Sequence, residues 1–304
     1  MTDRRVGFIG LGAMGDGMSK NLLKAGYAVC GYDIDGSRVD RLVAAGGTAA
    51  ASPARAAADM ELLFVVVFTA DEAEAVLFGD DGAVAVLAPG ATVVMHTTMA
   101  PEAAGAIEAR LEAGGHRYLD APVTGGKSGA DAGTLAVIAS GSEAAFAAAE
   151  GALAAMGKHI YKVGARAGAA STVKMINQLL CGIHVVAAAE GIALAARAGA
   201  DPRMVYEVIT HGAANSLVFE TRVPNILARD FDPRGLVGIF TKDLGIVLDA
   251  GKQLNFPLPM AATAQQQFLA AAAAGYEHAD DSAVVKVYER LSGIDVAGAA
   301  EDAG

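Results

Sequence analysis

The residues that decide the fold lie at positions 6–15 and read VGFIGLGAMG. The first five are typical of a buried strand, and Met14 to Lys24 has the pattern of a helix. Gly10, Gly12 and Gly15 have the GxGxxG spacing of a phosphate-binding turn. In such a turn the first glycine allows a tight bend, the second leaves room for a pyrophosphate, and the third lets the helix approach the strand. We therefore predict a dinucleotide-binding turn rather than a glycine turn without a ligand.

Asp33 indicates which dinucleotide binds. It follows the apolar strand Ala28 to Tyr32 and comes 23 residues after Gly10, near the expected spacing of about 20. A carboxylate there can bond both ribose hydroxyls of NAD but repels the 2′-phosphate of NADP. The sequence predicts NAD, and the nearby Arg38 keeps NADP as the alternative. The residues predicted to hold the cofactor are Gly10, Leu11, Gly12, Ala13, Met14, Gly15 and Asp33.

The first half of the chain alternates β-rich runs with helical stretches. The predicted strands are Val6–Gly10, Ala28–Tyr32, Leu62–Phe68, Ala91–Met95, His116–Leu119, Leu135–Ala139 and Ile160–Val163. Alternating βα units predict an α/β fold with a doubly wound, mainly parallel sheet covered by helices on both faces. With the glycine turn, this indicates a Rossmann domain over residues 1–163.

The pattern changes after Val163. Residues 168–198 contain no proline and are dominated by Ala, Leu, Val and Ile, which predicts one helix of about 45 Å. Asp201 and Pro202 are expected to be the N-cap and the first residue of a further helix. Two more helices are expected at Lys242–Leu254 and Pro259–Ala274. The sequence therefore predicts an all-α domain over residues 164–304, joined to the first by the long helix.

Composition excludes several classes of protein. The chain has 304 residues, 34 acidic and 23 basic, so its net charge of −11 disfavours nucleic acid as a partner. No run of about 18 apolar residues predicts a membrane span. The apolar stretch after Arg4-Arg5 is too short and glycine-rich for a signal peptide. Cys30 and Cys181 lie far apart without a CxxC pair, so a cytoplasmic protein without disulfides is expected. The six histidines show no metal-ligand spacing, and no metal is predicted.

Five segments occur in one order that resembles a known family. They are FIGLGAMGDGMSKN at 8–21, TTMAP at 97–101, DAPVTGGKSGA at 120–130, the stretch from Gly168 to KMINQ at 174–178, and KDL at 242–244. Together they resemble the β-hydroxyacid dehydrogenases over about residues 6–290. The resemblance implies transfer of a hydride between NAD and a small hydroxy carboxylic acid. Imine reductases, which share the architecture but typically lack the lysine, and a non-catalytic dinucleotide-binding protein are the alternatives.

The resemblance also implies roles for individual residues. Lys174 and Asn177 are the expected catalytic residues. Thr124, Gly125, Gly126, Lys174, Asn177 and Gln178 are expected to bind the substrate, and Thr98 and Lys242 to line the cofactor site. Thr124 stands where the family usually has Ser, which keeps the hydroxyl and adds a methyl group.

The chemistry of these residues agrees with the roles. Oxidation of an alcohol by hydride transfer requires removal of the hydroxyl proton, and a partly desolvated lysine can accept it because burial disfavours a charged amine. Helical spacing puts Ser171, Asn177, Gln178 and Cys181 in one polar stripe with Lys174. The N–H groups of Gly125 and Gly126 can form an anion-binding nest for the substrate carboxylate, with the Thr124 hydroxyl beside them.

The substrate and the oligomeric state are less defined. Residues 174–190 and 210–222 look most like the family branch that acts on four-carbon sugar acids such as L-threonate, although that branch often has His where Asn177 stands. 3-Hydroxyisobutyrate and D-glycerate or tartronate semialdehyde are the rival substrates. The apolar helices of the second domain predict a homodimer or homotetramer, because an apolar helix face must be covered.

Overall fold

A single sheet dominates the first part of the chain. In the computed structural model, which describes residues 4–302, it consists of nine strands. These are β1 (Arg5–Ile9), β2 (Ala28–Tyr32), β3 (Thr48–Ala49), β4 (Leu62–Val65), β5 (Thr92–Met95), β6 (Arg117–Asp120), β7 (Val123–Thr124), β8 (Leu135–Gly141) and β9 (Gly157–Gly164). Seven helices alternate with them, namely α1 (Ala13–Lys24), α2 (Gly36–Ala44), α3 (Pro53–Ala57), α4 (Ala70–Phe78), α5 (Pro101–Ala113), α6 (Gly126–Ala132) and α7 (Glu143–Met156).

The strand order is β3-β2-β1-β4-β5-β6-β8-β7, with β9 beside β8. The strands from β3 to β6 are parallel, whereas β8 runs antiparallel to β6 and β7. One hydrophobic core forms on the face that carries Phe8 and Phe64, and another on the face that carries Leu63 and Val65. The predicted doubly wound, mainly parallel sheet with both faces covered is confirmed.

The second part of the chain is helical. Its elements are α8 (Ala169–Arg197), α9 (Pro202–Thr210), α10 (Leu217–Leu227), α11 (Val237–Gln253), α12 (Pro259–Ala271), α13 (Val285–Ser292) and α14 (Val296–Asp302), with a π-helical turn at Ala272–Tyr276 and a 3-10 turn at Asp281–Val284. The predicted long helix over 168–198 is α8. Asp201 is the N-cap of α9 and accepts the N–H of Arg203, with Pro202 in the first turn, as predicted.

Two compact units divide the chain, one reaching to Met175 and one starting at Ile176. The division falls inside α8, so one helix belongs to both units. The domain boundary predicted after Val163 coincides closely with the end of the last strand and stays a prediction. Of the described helices, α8 is long and apolar enough to span a membrane by length and composition, which is weak evidence because the core helix of a soluble protein meets the same criteria.

Several elements differ in length from the predictions, and two of these differences have a clear local cause. β4 ends at Val65 rather than Phe68, because the chain turns there and the Val67 N–H bonds to the Thr97 hydroxyl at 3.1 Å. α11 begins at Val237 rather than Lys242, since the Val237 N–H bonds to the carbonyl of Ala279 at 3.0 Å and fixes an earlier start.

His96 is a buried polar side chain at the end of β5. Its ring stacks on Phe64, with centroids 5.8 Å apart, and its Nδ1 lies 2.5 Å from the carbonyl oxygen of Ala121. That carbonyl is an acceptor, so the neutral ring carries its proton on Nδ1. Burial lowers the pKa of His96 from 6.5 to about 4, although the bond to Ala121 opposes this shift.

We predict that His96 makes the fold sensitive to acid. Between pH 6.5 and about pH 4 the unfolded chain binds a proton at this histidine and the folded chain does not. The free energy of unfolding therefore decreases as the pH is lowered through this window, by up to about 3 kcal/mol. His96→Asn, which keeps a neutral donor near Ala121, should flatten the acid limb of stability measured by urea unfolding. The exposed His159 gives the control variant His159→Asn. An unchanged acid limb in His96→Asn would contradict the assignment.

Candidate active site

The glycine turn has the geometry expected for phosphate binding. Gly10 has φ +93°, a conformation that favours glycine, and a Cβ on Gly15 would overlap the Gly10 carbonyl oxygen. A Cβ on Gly12 would come no closer than 3.7 Å to protein, at Arg38 Nη1. Packing thus requires glycine at the first and third positions but not at the second, which leaves open space at the N-terminus of α1. A pyrophosphate fits this cradle.

Asp33 lies at the end of β2 beside the glycine turn. Its carboxylate accepts the N–H of Leu11 at 2.7 Å and the N–H of Asp35 at 2.9 Å. The Arg38 guanidinium pairs with it at 3.3 Å and lies 3.3 Å from the carboxylate of Asp35. The carboxylate is therefore fixed next to the cradle, where the ribose of a dinucleotide is expected, and a cation stands beside it.

The loop after β5 carries the predicted cofactor residue Thr98. Thr97 is buried and its hydroxyl accepts the Val67 N–H, which joins this loop to the one after β4. Thr98 itself is partly exposed. Because β4 and β5 are parallel neighbours, these loops leave the sheet at the edge from which the glycine turn also starts.

The predicted carboxylate-binding segment follows β7. Thr124 is partly exposed, and Gly125 and Gly126 are exposed. Their φ angles are +126° and +63°, values that residues other than glycine rarely adopt. α6 starts here and is tied to α1, because the Asn21 side chain donates to the Ala130 carbonyl at 2.7 Å. The glycine segment is therefore held on the helix that carries the phosphate cradle.

Lys174 lies in the second turn of α8, in the first compact unit. The side chain is buried, with 7% of its surface exposed. One turn earlier, the Ser171 hydroxyl donates to the carboxylate of Asp120 at 2.9 Å. A buried lysine is uncommon in a soluble protein and is a candidate for proton transfer.

In the second unit, α8 and α11 bring three predicted residues together. Gln178 donates to Asp243 Oδ2 at 2.6 Å, and Lys242 pairs with Asp243 Oδ1 at 2.6 Å. Asn177 donates to Gln178 Oε1 at 2.9 Å and lies 3.6 Å from the sulfur of Cys181. Asp243 is the centre of this cluster.

Two residues of the site were not predicted. Asp243 stands in the quoted KDL segment and Asp120 starts the DAPVTGG segment, so both were visible in the sequence. Their partners lie far away in the sequence: Gln178 is 65 residues from Asp243, and Ser171 is 51 residues from Asp120. No local sequence pattern indicates such pairs.

Family models match both parts of the chain. The model described as the NAD binding domain of 6-phosphogluconate dehydrogenase matches residues 5–164, and that described as NAD-binding of NADP-dependent 3-hydroxyisobutyrate dehydrogenase matches residues 168–288. A relative from Cupriavidus necator named L-threonate dehydrogenase is 46% identical over 298 residues, 98% of this chain and 99% of that protein. The chain belongs to the β-hydroxyacid dehydrogenase family.

Other relatives agree with this membership. An L-threonate dehydrogenase of Escherichia coli strain K12 is 41% identical over 295 residues, 97% of each chain. The crystal structure of a 3-hydroxyisobutyrate dehydrogenase from Salmonella typhimurium has a TM-score of 0.89 and 44% identity, covering 94% of this chain and all of that one. The protein is thus a β-hydroxyacid dehydrogenase, an oxidoreductase that acts on the alcohol of a hydroxy acid with a nicotinamide dinucleotide as cofactor.

The described residues offer no metal centre. Over positions 4–302, no group of three or more His, Cys, Asp or Glu side chains is placed to hold a metal ion. The open phosphate cradle and the carboxylate of Asp33 suit a dinucleotide.

The glycine turn yields a matched pair of predictions. Gly15→Ala forces a Cβ into the Gly10 carbonyl, so we expect a loss of stability of about 1–3 kcal/mol or more. In Gly12→Ala the Cβ would lie 3.7 Å from Arg38 Nη1, an ordinary contact, so this variant should change the melting temperature much less than Gly15→Ala while weakening NADH binding at least ~10-fold, because the Cβ enters the space for the pyrophosphate. Thermal melts and NADH fluorescence titrations distinguish the two. Wild-type NADH affinity in Gly12→Ala would argue against the cradle.

Proposed function

We propose that this protein oxidises a small polyhydroxy or 3-hydroxy carboxylic acid with NAD, and that L-threonate is its first candidate substrate. The observation that carries the chemistry is the buried Lys174, in the same compact unit as the phosphate cradle and the Thr124–Gly126 segment. Five relatives named L-threonate dehydrogenase, at 40–46% identity, support this choice of acid. Asn177 stands where that branch often has His, so 3-hydroxyisobutyrate and D-glycerate remain rivals.

Lys174 is proposed as the general base in oxidation and the general acid in reduction. The hydroxyl oxygen loses its proton to Nζ of a neutral Lys174 as the C–H bond breaks, and the same atom returns a proton in the reverse reaction. When bound, the nicotinamide ring of the cofactor supplies the hydride acceptor. Burial of Lys174 supports the role, because burial disfavours the charged form of an amine and so favours a base that can accept a proton.

The Thr124–Gly126 segment is proposed to bind the substrate carboxylate. Successive backbone N–H groups in a left-handed conformation can surround an anion, and both glycines have positive φ. The Thr124 hydroxyl adds a donor, and its methyl group narrows the space for the acid. These contacts would orient the substrate, so that its alcohol rather than its carboxylate meets the base.

Asn177 and Gln178 are proposed to bind the polar end of the substrate. Asp243 accepts from Gln178 and pairs with Lys242, so the amide of Gln178 is held in one orientation. We propose that Lys242 acts mainly by neutralising Asp243, with a cofactor contact as the second role that the family implies. A fixed amide can present its oxygen to a substrate hydroxyl.

A homo-oligomer is proposed from the surface of α8. Within the second unit, Ile176, Leu180 and Leu194 lie on this helix with 51%, 49% and 66% of their surface exposed. Several exposed apolar side chains on one helix are often covered in a complex, and a second copy of the chain is the simplest cover. Light scattering that gives the mass of one chain at working concentration would contradict this proposal.

A soluble, cytoplasmic location is also proposed. Cys30 and Cys181 are both free thiols, which suits a reducing compartment. The relatives of similar length are bacterial dehydrogenases.

The role of Lys174 predicts a large loss of turnover. Lys174→Ala should lower kcat with the best acid by at least ~10²-fold, the range of general acid-base catalysis, while NADH still binds. The measurement is NADH formation with L-threonate, 3-hydroxyisobutyrate, D-glycerate and related acids. Lys252→Ala, which removes an exposed lysine of α11, is the control. Near wild-type turnover in Lys174→Ala would refute the mechanism, and NADH binding without turnover of any acid by the wild type would indicate a non-catalytic binding protein.

Asp33 predicts the choice of cofactor. Asp33→Asn removes the like charge facing a 2′-phosphate and frees Arg38 from one of its two carboxylate partners, so the ratio of kcat/KM with NADP to that with NAD should rise at least ~10-fold. The gain should disappear in the double variant Asp33→Asn with Arg38→Ala. Asp35→Asn, an exposed carboxylate that also pairs with Arg38, should keep the NAD preference. If the wild-type protein were active with NADP but not with NAD, the role given to Asp33 would be wrong.

A further inference from the structure

The start of α8 is fixed to the sheet by side chains from distant elements. Asp120 Oδ2 accepts the N–H groups of Gly168 at 2.9 Å and Ser171 at 3.0 Å, and the Ser140 hydroxyl accepts that of Ala170 at 3.0 Å. The first N–H groups of a helix have no partner within it, and here most are paired by residues of β6 and β8.

A second anchor lies just before the helix. The buried Glu108 of α5 accepts the N–H of Ala167 at 3.1 Å and pairs with Arg166 at 3.1 Å. Gly168, between the two anchors, has φ +93°, and a Cβ there would approach the Pro101 carbonyl to 3.1 Å. The backbone that leads into α8 is therefore held on both sides.

The anchor differs in kind from the caps of neighbouring helices. The Ser142 hydroxyl caps α7 by accepting the N–H of Ala145, three residues away. Such a local cap satisfies an N–H group but does not fix where the helix lies. Asp120 is separated by 48 and 51 residues from the groups it binds, so its bonds set the position of α8 on the sheet.

The carboxylate of Asp120 is fully buried and both oxygens are used. Oδ2 accepts two N–H groups and Oδ1 accepts the Ser171 hydroxyl at 2.9 Å. Burial raises the pKa of Asp120, and these hydrogen bonds oppose the shift. Burial of a carboxylate costs more free energy than burial of a neutral hydroxyl such as the Ser142 cap of α7. The carboxylate can, however, accept several hydrogen bonds at once, and at the start of α8 it does.

Two functional segments meet at this residue. Lys174 follows Ser171 by one helical turn, about 4.5 Å along the axis, and long side chains of a helix lean back toward its N-terminus. In the other direction the chain runs from Asp120 through Ala121 and Pro122 to Thr124. One carboxylate therefore joins the first turn of α8, which precedes the turn that carries Lys174, to the strand end that leads to the substrate segment.

We propose that Asp120 is a positioning residue for Lys174, acting through its hydrogen bonds to Gly168 and Ser171 rather than by touching the substrate. The inference rests on the general acid-base role proposed for Lys174. Loss of the bonds would let the first turns of α8 shift on the sheet, and a displacement near 1 Å at a reacting group can lower the rate about 10²-fold. Cofactor binding, which uses the turn after β1, should be unaffected.

The test compares Asp120→Ala with the isosteric Asp120→Asn. In Asp120→Asn the amide oxygen still accepts both N–H groups, and the Ser171 hydroxyl can rotate to accept from the amide nitrogen. We expect Asp120→Ala to lower kcat at least ~10-fold with KM for NAD within about twofold of wild type, and Asp120→Asn to keep kcat within ~3-fold. Ser142→Ala, which removes the local cap of α7, should lower the melting temperature and leave kcat unchanged.

Three results would overturn the inference: wild-type kcat in Asp120→Ala, a parallel fall of kcat and NADH affinity, or a kcat in Asp120→Asn as low as in Asp120→Ala. If Asp120→Ala does not fold, Ser171→Ala replaces it. That variant loses one of the bonds and should lower kcat at least ~3-fold at unchanged KM for NAD. Wild-type kcat in Ser171→Ala would then overturn the inference.

Hydrogen exchange separates this inference from the proposed function. In Asp120→Ala, or in Ser171→Ala if the first does not fold, residues 166–175 should exchange their amide protons faster than in wild type, while residues 143–156 of α7 should not change. Unchanged exchange at residues 166–175 would overturn the anchoring even in a protein with no turnover. An inactive wild type with the expected exchange would count against the proposed function alone.

Discussion

A common register of the parallel strands determines where each functional segment of the first unit begins. Ile9 of β1 pairs with Tyr32 of β2 and Val65 of β4, Val65 pairs with Met95 of β5, and Met95 pairs with Asp120 of β6. The residues after these strands therefore emerge along one edge of the sheet. The glycine turn, Asp33 and the segment that leads to Thr124 all start there, and parallel α/β sheets generally have their ligand sites at this edge.

Close packing converts this edge into a rigid surface. Gly15 lets α1 approach β1, and Gly17 lets it approach α6, where a Cβ would lie 2.6 Å from the Ala130 backbone. Asn21 adds a hydrogen bond between the same helices. An acidic chain with anionic ligands needs local hydrogen-bond donors, and in the site that we propose most of these donors are backbone N–H groups whose positions are set by this packing.

Features with a local physical cause could be predicted from the sequence. The glycine spacing indicated the turn, the Asp201-Pro202 pair indicated the start of α9, and the alternation of elements indicated the sheet. Features that depend on distant partners could not be predicted. The hydrogen bonds of Asp120 and Asp243 join residues about 50 to 65 positions apart, and the early end of β4 depends on a threonine in the loop after β5. Periodicity contains no information about such contacts.

We propose that Lys174 exchanges a proton with the hydroxyl group of a substrate whose carboxylate is bound at the Thr124–Gly126 segment. A crystal structure with NAD and L-threonate would show both contacts. We expect a substrate hydroxyl within hydrogen-bond distance of Lys174 Nζ and the carboxylate on the N–H groups of Gly125 and Gly126. A substrate bound with its carboxylate elsewhere, or with no hydroxyl near Lys174, would show that the proposal is wrong.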